Sequence, residues 1–452
     1  MTDHRISPRQ TGVTLIELMV AMVLGLLVAG GIVSIFISTS SSSKVQTQLA
    51  RLQEEGRFAI TRLSGDLRMA NGQYCTNSGG VAKAQSNGTY LDGLRAPTVY
   101  AKNLNSAIAD LSTPMGTGVY PADPKQKYAF PSFMSMRGYD CGKTACTPAD
   151  PNTAITGTTI PVMGTAFDDR VVGASVLTVR YVNPARGWVV GNTASTTSIN
   201  ATGNALTDIT IRPNTAIGEP PATDFKTGDL AMLADCSNAQ IFAASNASGV
   251  ITPTAASNHG APTPQTPSSA PKLFDFNRDF QTVTYYLKVV SVNNNGVAPF
   301  TGALMRRVNG DNPAKSPAHG GSEDELVRGI ERLNFKYGVE DADGNTSFLT
   351  AAEVDASTAC PPAAPSALST SADPGCLWRA VKSIEVDILM DGQIPLYTLA
   401  PNELQYAYTS DKTTAALAAP DAHAIKPSDQ GFVDPLLRRE FTALVSVRNF
   451  NP

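Results

Sequence analysis

The chain has 452 residues, which is long for one domain and suits a membrane element joined to one or two globular lobes. Charged residues make up only 16% of the chain and the formal net charge is −4, so there is no basic surplus to predict a nucleic-acid partner. The 36 glycines and 31 prolines favour a loop-rich, β-rich fold over a helical one.

The first predicted element is a long apolar segment. Residues 1–12 are polar and slightly basic, and residues 13–37 then form an apolar run in which Glu17 is the only charged residue. About 20 apolar residues suffice to cross the core of a bilayer, so this run is long enough to span it. A secretory signal peptide is the alternative interpretation. It fits poorly, because the run is too long and no small-residue cleavage site follows it.

The junction of these two segments carries a recognisable motif. Residues 12–18 read GVTLIEL and resemble the type IV prepilin cleavage motif, a glycine before a hydrophobic residue with glutamate fifth after the cut. The resemblance implies that a prepilin peptidase cuts after Gly12 and that Val13 becomes the N-methylated first residue. Family members more often have Phe or Met at that position, so Val13 is a mild departure from the pattern.

The chemistry of Glu17 agrees with this reading. A carboxylate inside an apolar membrane segment costs about 2.5–3.5 kcal/mol, and such residues are usually paired and functional. Cleavage after Gly12 creates a charged amine on Val13, one helical turn away, which can neutralise Glu17 within or between subunits. Glu17 is therefore predicted to be an assembly contact. The alternative is a glutamate near the membrane interface that snorkels or takes up a proton.

The same helix is predicted to continue beyond the membrane through residues 38–71. Leucine and other apolar residues recur there every three or four positions, which indicates an amphipathic helix. These positions are Val45, Leu49, Leu52, Ala59, Leu63 and Leu67. Charged residues, Asp66 among them, lie largely off this stripe. The pair at residues 71–72, Asn-Gly, is a helix stop signal, and one helix over residues 13–70 would be about 87 Å long.

Three glycines interrupt the apolar run, at Gly25, Gly30 and Gly31. Each costs about 1 kcal/mol relative to alanine inside a helix. Close helix packing in the membrane is one explanation, and local melting of the helix on entering a filament is the other.

After residue 72 the hydrophobic period changes to two, which is typical of half-buried antiparallel strands. Strands are predicted at residues 283–289, 333–339, 384–388 and 441–447, with earlier candidates at 171–182 and 229–233. In the first of these, Thr282, Thr284, Tyr286 and Lys288 are expected on the solvent side. The predicted fold class is α+β and pilin-like, with a long N-terminal helix packed on a β-rich, loop-rich head.

Stretches rich in Ala, Ser, Thr and Pro separate the strands and are predicted to be loops or linkers. They cover residues 191–204, 243–271, 355–372 and 413–426. The second of them ends just before residue 273. The head is therefore expected to divide into a first lobe, residues 72–272, and a second β-rich lobe, residues 273–452.

Head motifs, weaker than the N-terminal one, resemble those of PilW-type minor pilins. They are EEGRFAI and DLRMA in the helix, DCSNA at residues 235–239, the strand over residues 326–340 ending in YGV, the segment around Trp378, and RREF at residues 438–441 followed by residues 448–449. The resemblance implies a minor pilin that helps initiate type IV pilus assembly at or near the tip. Its expected partners are other minor pilins, the major pilin, prepilin peptidase and the inner-membrane assembly platform. The expected location is the bacterial inner membrane with the head in the periplasm, and then the pilus tip.

Two other functions fit parts of the sequence. A J-type minor pseudopilin of a type II secretion system would share the N-terminus, although the head is large for that family. A tip adhesin would bind its ligand through residues 76–270, of which residues 76–225 match no known motif. Neighbouring genes would separate the pilus from the secretion system.

The six cysteines lack metal-ligand spacing, and their even number predicts disulfides in an oxidising compartment. Six cysteines allow 15 connectivities. Local pairs are the economical choice, which gives Cys141–Cys146 and Cys360–Cys376 and leaves Cys75 to join Cys236.

Residues 341–345 read DADGN and have the oxygen-rich composition of a calcium loop, with Asp341, Asp343 and Asn345 as candidate ligands. The spacing of a full calcium-binding loop is missing, and a turn between two strands is the alternative.

Catalytic motifs are not evident. The four histidines are scattered, at His4, His259, His319 and His423. Ser41 and Lys44 match a Ser-x-x-Lys pattern, but they lie in the predicted helical stalk, where no pocket forms. The sequence predicts neither an enzyme nor a cofactor.

Overall fold

A single long helix, α1 (Leu15–Leu67), leads into a head made of strands. The computed structural model describes residues 12–70, 72–74, 76–77, 81–85, 88–92, 97–104, 126–131, 134–152, 160–235, 238–310, 321–340, 346–356, 375–393, 395, 408, 425–432 and 436–447. The helix lies within the predicted range of 13–70 and is about 80 Å long. It ends three residues early, where Met69 and Ala70 donate backbone hydrogen bonds to Asp66 and Leu67 in a tight turn.

The inner half of α1 is exposed along its whole length. Its most apolar 18-residue window has a mean hydropathy of 2.7, and none of that window is buried. Among the described residues, α1 is the one helix long and apolar enough to cross a membrane. The three glycines of this half lie inside the helix, and a Cβ added at Gly25, Gly30 or Gly31 would meet nothing within 4 Å.

The outer half of α1 packs on the head through one face. The buried residues follow helical spacing and are Gln48, Leu52, Gly56, Ala59, Leu63 and Leu67. Four of them belong to the predicted stripe, whereas Val45 and Leu49 are only half-buried. The predicted amphipathic helix is confirmed, with its buried face rotated slightly toward Gln48 and Gly56.

The described part also contains two short α-helices, α2 (Phe276–Asp279) and α3 (Ala351–Ala356), six 3-10 helices and 25 strands. The strands up to residue 182 are β1 (Gly72–Gln73), β2 (Thr76–Asn77), β3 (Val81–Gln85), β4 (Gly88–Asp92), β5 (Thr98–Val99), β6 (Tyr128–Ala129), β7 (Met136–Cys141), β8 (Cys146–Thr147), β9 (Met163–Gly164), β10 (Arg170–Val171) and β11 (Val176–Val182). Those that follow are β12 (Trp188–Val189), β13 (Ser198–Thr202), β14 (Ala205–Thr210), β15 (Leu230–Ala234), β16 (Ala239–Ala247), β17 (Val250–Pro253), β18 (Lys272–Asp275), β19 (Phe280–Ser291), β20 (Phe300–Val308), β21 (Ser322–Arg328), β22 (Ile330–Glu340), β23 (Thr346–Leu349), β24 (Val381–Asp391) and β25 (Arg438–Ser446).

Three sheets, each of four strands or more, form the head, and most of their strands pair antiparallel. The first has the order β21-β20-β19-β11-β7-β8, with β9 and β10 attached. The second has the order β12-β18-β15-β16-β17-β14-β13, with β5 and β6 attached. The third has the order β23-β22-β24-β25. The pairs β1-β2 and β3-β4 each form a separate two-stranded sheet. The α+β, pilin-like fold predicted from the sequence is confirmed.

The main hydrophobic core joins α1 to the sheets. It contains the buried α1 residues Leu52, Ala59, Leu63 and Leu67 together with residues of the first and third sheets, such as Tyr285. Helix α1 therefore shares one core with the head, which fixes the direction in which its bare inner half projects.

The strands predicted in the second half are all present, as β19, β22, β24 and β25. The earlier candidate over residues 171–182 is divided into β10 and β11. The break comes at Gly173, whose φ of 75° lies in the left-handed region that interrupts a ladder. The candidate over residues 229–233 corresponds to β15.

The prediction that β19 is half-buried is wrong. Thr282, Thr284 and Tyr286 are all buried, although the alternation placed them toward solvent. A second apolar cluster covers this face, in which Tyr286 packs with residues such as Tyr139. The threonines are accommodated by hydrogen bonding, since the hydroxyls of Thr178 and Thr284 lie 2.9 Å apart.

Two of the predicted loops contain strands. Residues 191–204 include β13, and residues 243–271 include the end of β16 and all of β17. The composition of these stretches resembles that of loops, yet β13 forms the edge of the second sheet and β17 pairs on both sides, with β14 and β16. Asn258 also stabilises β16, because its side chain bonds both the N–H and the C=O of Ala243, at 2.8 Å each.

The division of the head at residue 272 stays a prediction. Hydrogen-bonded strand pairs nevertheless cross that position: β11 pairs with β19, and β12 pairs with β18.

Candidate assembly site on the N-terminal helix

The first turn of α1 is closed by a capping box between Thr14 and Glu17. The hydroxyl of Thr14 accepts a hydrogen bond from the N–H of Glu17 at 3.3 Å. A carboxylate oxygen of Glu17 in turn accepts from the N–H of Thr14 at 3.0 Å and from its hydroxyl at 2.9 Å. This reciprocal arrangement satisfies backbone donors that a helix start leaves open. Glu17 is therefore directed back toward Gly12 and Val13, where the cleavage motif lies.

The surface around Glu17 is apolar and uncovered. Leu15 is 79% exposed, and the exposed large hydrophobic residues continue from there to Ile37. An apolar surface of this extent is not left in water, so lipid or neighbouring helices must cover it. A carboxylate in that surface keeps its charge only where a cation or a set of donors accompanies it.

At the other end of α1, Asp66 anchors the helix to the head. Its carboxylate accepts hydrogen bonds from the hydroxyls of Tyr181 at 3.0 Å and Tyr285 at 2.6 Å. Arg306 binds the same carboxylate with two donors, Nε at 2.6 Å and Nη2 at 3.2 Å. Tyr181, Tyr285 and Arg306 come from β11, β19 and β20, so one helical residue ties three strands together.

The electrostatics of this anchor favour an ionised Asp66. Burial is the largest single influence and raises the pKa of Asp66, but the hydrogen bonds from Arg306 and both tyrosines, with the charge of Arg306, outweigh it and lower the pKa overall. Burial and the neighbouring carboxylate raise the pKa of both Tyr181 and Tyr285, so they remain hydrogen-bond donors. Sequence analysis missed this anchor. Its one local signal was the position of Asp66 between the stripe residues Leu63 and Leu67.

A close approach at Gly56 completes the docking of α1. A Cβ at this position would lie 2.8 Å from the ring of Phe441 in β25. The ring of Phe441 is in turn covered by the guanidinium of Arg439, 5.5 Å from its centroid. Glycine is thus needed at residue 56 for packing.

The predicted disulfide Cys141–Cys146 is confirmed, with a sulfur–sulfur distance of 2.07 Å. It joins β7 to β8, where the two residues are paired across the ladder. The predicted pairs Cys360–Cys376 and Cys75–Cys236 lie outside what the structure describes, since only the backbone of Cys376 is included. Both pairs stay predictions.

The candidate calcium loop, residues 341–345, also lies outside the described residues. The strands on either side of it pair antiparallel, with Glu340 opposite Thr346. In the part of the chain that is described, His, Cys, Asp and Glu side chains form no cluster of three or more that could hold a metal ion.

The histidines and the Ser-x-x-Lys pattern are not brought together into a site in the described residues. His259 is half-buried in the head, whereas Ser41 and Lys44 lie on α1 and Lys44 is exposed. His4, His319 and His423 fall outside the described ranges.

A capped, glutamate-bearing apolar helix fused to an antiparallel β-rich head is a pilin-like fold. Comparison with known families gives the same class and narrows it. Residues 7–33 match the prokaryotic N-terminal methylation motif, and residues 284–449 match type IV pilus-assembly protein W. The resemblance to a PilW-type type IV pilin is therefore confirmed, and these families point to a structural pilin and not to an enzyme. No curated protein and no solved structure matches the chain.

Proposed function

We propose that this protein is a minor pilin that primes or caps a type IV pilus at its tip. The observation that carries the proposal is the contrast within α1. Its outer half is fixed in the core of the head, whereas its inner half, with Glu17 in its first turn, is bare. Such a helix needs an apolar partner before and after assembly. The lipid of the inner membrane serves first, and the helices of neighbouring pilins serve later.

Processing at the N-terminus creates the contact that drives the transfer of the subunit from the membrane into the filament. Prepilin peptidase cuts after Gly12, and Val13 receives the methyl group and carries the new amine. In the free subunit Thr14 supplies the hydrogen bonds of Glu17. In the filament, the charged amine of a neighbouring subunit stabilises the carboxylate more strongly, because charge-assisted hydrogen bonds are roughly twice as strong as neutral ones.

The size of the head favours the tip over the shaft. Packed helices lie about 8–10 Å apart. A compact head formed by the residues after α1 has a radius of gyration of about 21 Å. Heads of this size crowd one another in a shaft built of them alone, but an end position leaves one side free.

The proposed partners follow from these steps. They are prepilin peptidase, the inner-membrane assembly platform, the other minor pilins and the major pilin. Before assembly the protein is a single-pass membrane protein with its head in the periplasm.

Immunogold labelling of sheared pili tests the tip position, with an epitope tag inserted in the exposed turn at residues 294–297. Label confined to filament ends, at a few particles per pilus, is the expected result. Label along the whole shaft contradicts the proposal, and label on secretion-system pseudopili alone would assign the protein to that machinery.

Intact-mass analysis of the membrane-extracted protein tests the processing step and should give a chain that begins at Val13 with one added methyl. A mature N-terminus beyond residue 37 rules out pilin processing.

A further inference from the structure

A buried arginine contacts both sulfurs of the confirmed disulfide. Nη1 of Arg170 donates to Sγ of Cys141 at 3.1 Å and to Sγ of Cys146 at 3.5 Å. Its Nε donates to the backbone oxygen of Pro161 at 3.4 Å, and its Nη2 pairs with Asp150 at 3.2 Å. The side chain of Arg170 has no exposed surface, whereas that of Asp150 is 59% exposed.

The local structure fixes this contact. Arg170 belongs to β10, which pairs with β19 through Lys288 on one side and with β9 on the other. The two cysteines face each other at the end of the β7-β8 ladder. They differ in access: Cys141 is 6% exposed, whereas Cys146 is half-buried.

The buried guanidinium of Arg170 has an ion-pair partner, Asp150, that is largely exposed to solvent. Burial is the main influence and lowers the pKa of Arg170, while the charge of Asp150 acts in the opposite direction. A neutral disulfide supplies no negative charge to a cation beside it. A thiolate does, and a neighbouring Arg or Lys is one of the features that lower the pKa of a cysteine thiol from about 8.5 into the range of about 3.5–7.5.

We propose that Cys141–Cys146 is a reducible disulfide and a site of thiol modification, with Cys141 as the stabilised leaving thiolate. A thiolate co-reactant attacks Sγ of Cys146, the more accessible sulfur. The electron pair of the broken S–S bond goes to Sγ of Cys141, next to Arg170, and the co-reactant becomes disulfide-bonded to Cys146. A second thiolate of the co-reactant then attacks that mixed disulfide. Cys146 leaves with the second electron pair and takes up a proton, and the co-reactant is released as its disulfide.

A reducible disulfide at this position differs measurably from one that only cross-links β7 and β8. Burial alone raises the pKa of a thiol, so a purely structural Cys141 would titrate at or above the ordinary value of about 8.5. A Cys141 stabilised by Arg170 titrates well below it. A leaving thiolate of low pKa also makes the disulfide easier to cleave.

The test uses the full mature chain in detergent, reduced with dithiothreitol and alkylated over a range of pH. Trypsin cuts after Lys143, so Cys141 and Cys146 fall in separate peptides that mass spectrometry quantifies individually. We expect the Cys141 thiol to show a pKa below about 7.5. A value at or above about 8.5 overturns the proposal without any mutant.

Four variants test whether Arg170 lowers the pKa of the Cys141 thiol. Arg170→Gln should raise the pKa of the Cys141 thiol by about one unit or more, and Arg170→Lys should restore part of the difference. Asp150→Asn keeps an oxygen to accept from the N–H of Asn152 and removes a competing charge, so it should lower the thiol pKa further. Lys288→Gln is the matched control. Its Nζ lies near Asp168 and Glu323, at 3.5 and 3.6 Å, and its loss should leave the thiol pKa unchanged.

The position of the mixed disulfide gives an independent readout. Oxidised protein is mixed with reduced glutathione or with thioredoxin and quenched in acid, and the captured co-reactant should be found on Cys146. Faster reduction by glutathione identifies a small thiol as the source of the attacking thiolate, and faster reduction by thioredoxin identifies a dithiol protein. Capture on Cys141, or no reduction by either reagent, overturns the proposal. If Arg170→Gln fails to fold, the wild-type titration and Asp150→Asn still decide the question.

Discussion

Glu17 and Asp66 lie in the first and the last turn of α1, one in each half of the helix, and their carboxylates are held in different ways. Glu17 lies in the exposed inner half, and the side chain that bonds it belongs to its own capping residue, Thr14. Asp66 lies in the docked outer half and is held by three side chains from three strands. One helix thus has a carboxylate that is satisfied within the subunit and another that is available to a neighbour.

This difference shows how one helix serves two purposes. The outer half stabilises the fold and can be disrupted by changes that leave the membrane segment intact. The inner half contributes no buried residue to the head, so its substitutions should affect assembly without affecting the free energy of unfolding. The predictions below test that separation.

The largest expected effect is on assembly and comes from Glu17→Val. The variant should insert into the membrane at least as well as the wild type, because a costly charge has been removed. Its incorporation into pili should fall by about tenfold or more, since a buried charge pair between subunits is worth upward of about 1.5 kcal/mol. Quantitative immunoblotting of sheared pili against membrane fractions measures both quantities.

Glu54→Val is the matched control for this experiment, since Glu54 is an exposed glutamate in the outer half. It should leave incorporation within about twofold of wild type. Normal incorporation of Glu17→Val would mean that the inner half does not use its carboxylate for assembly.

The second effect is on stability and comes from Asp66→Asn. Asp66 and Arg306 are only 14% and 18% exposed, so screening by solvent is limited. Removing one partner leaves the Arg306 charge uncompensated, and the free energy of unfolding should fall by about 3 kcal/mol. Urea unfolding of the detergent-extracted protein, followed by tryptophan fluorescence, measures it.

Two variants serve as controls for the effect of Asp66→Asn on stability. Glu54→Gln removes an exposed carboxylate from the same helix and should change the free energy of unfolding by less than about 0.5 kcal/mol. Glu17→Val should be equally neutral. A loss of stability in Glu17→Val comparable to that in Asp66→Asn would show that the two halves are not separable.

A smaller effect is expected at Gly56, where helix propensity and packing oppose each other. Alanine favours a helix by about 1 kcal/mol over glycine, yet its Cβ would lie 2.8 Å from the Phe441 ring. Overpacking costs about 1–3 kcal/mol, so Gly56→Ala should be destabilised by about 1 kcal/mol net. Gly65→Ala, where a Cβ meets nothing within 4 Å, should instead be stabilised by up to about 1 kcal/mol. Equal shifts in melting temperature for the two variants would refute close packing at Gly56.

The smallest effect concerns acid. The pKa of Asp66 is lower in the folded protein than its ordinary value of 3.8, so the folded state binds the proton less readily than the unfolded state. The stability that Asp66 contributes is therefore fully present above about pH 4 and is lost as pH falls through the lowered folded pKa. Asp66→Asn should be less stable at neutral pH and should lose less stability between pH 4 and pH 2. If the wild type and Asp66→Asn lose the same free energy of unfolding between pH 4 and pH 2, that loss belongs to other carboxylates.

The sequence was most informative where a repeating pattern spans many residues. The length of α1 and the strands β19, β22, β24 and β25 follow from apolar spacing alone. The strand β13 could not be read in this way, because its Ser, Ala and Thr residues have the composition of a loop, and β17 is only four residues long and ends in Pro253. The burial of Thr284 was likewise missed, since alternation along one strand cannot show that the paired strand β11 supplies a hydroxyl partner, Thr178.

The site shows the same limit. The capping box at Thr14 and Glu17 is local, three residues apart, and the motif directs attention to it. The Asp66 anchor depends on Tyr181, Tyr285 and Arg306, which are far apart in the chain and meet only after three strands have paired. The contact of Arg170 with Cys141 and Cys146 is of the same kind. Such sites require the topology, which no local pattern supplies.

The packing of Gly56 against Phe441 joins positions near opposite ends of the chain. Contacts of such high sequence separation form late in folding, because a long loop must close first. In the export that the proposed function implies, α1 stands in the membrane before β25 has left the cytoplasm. A product truncated ahead of residue 438 would lack β25 and would leave the Gly56 face of α1 without the Phe441 ring that covers it.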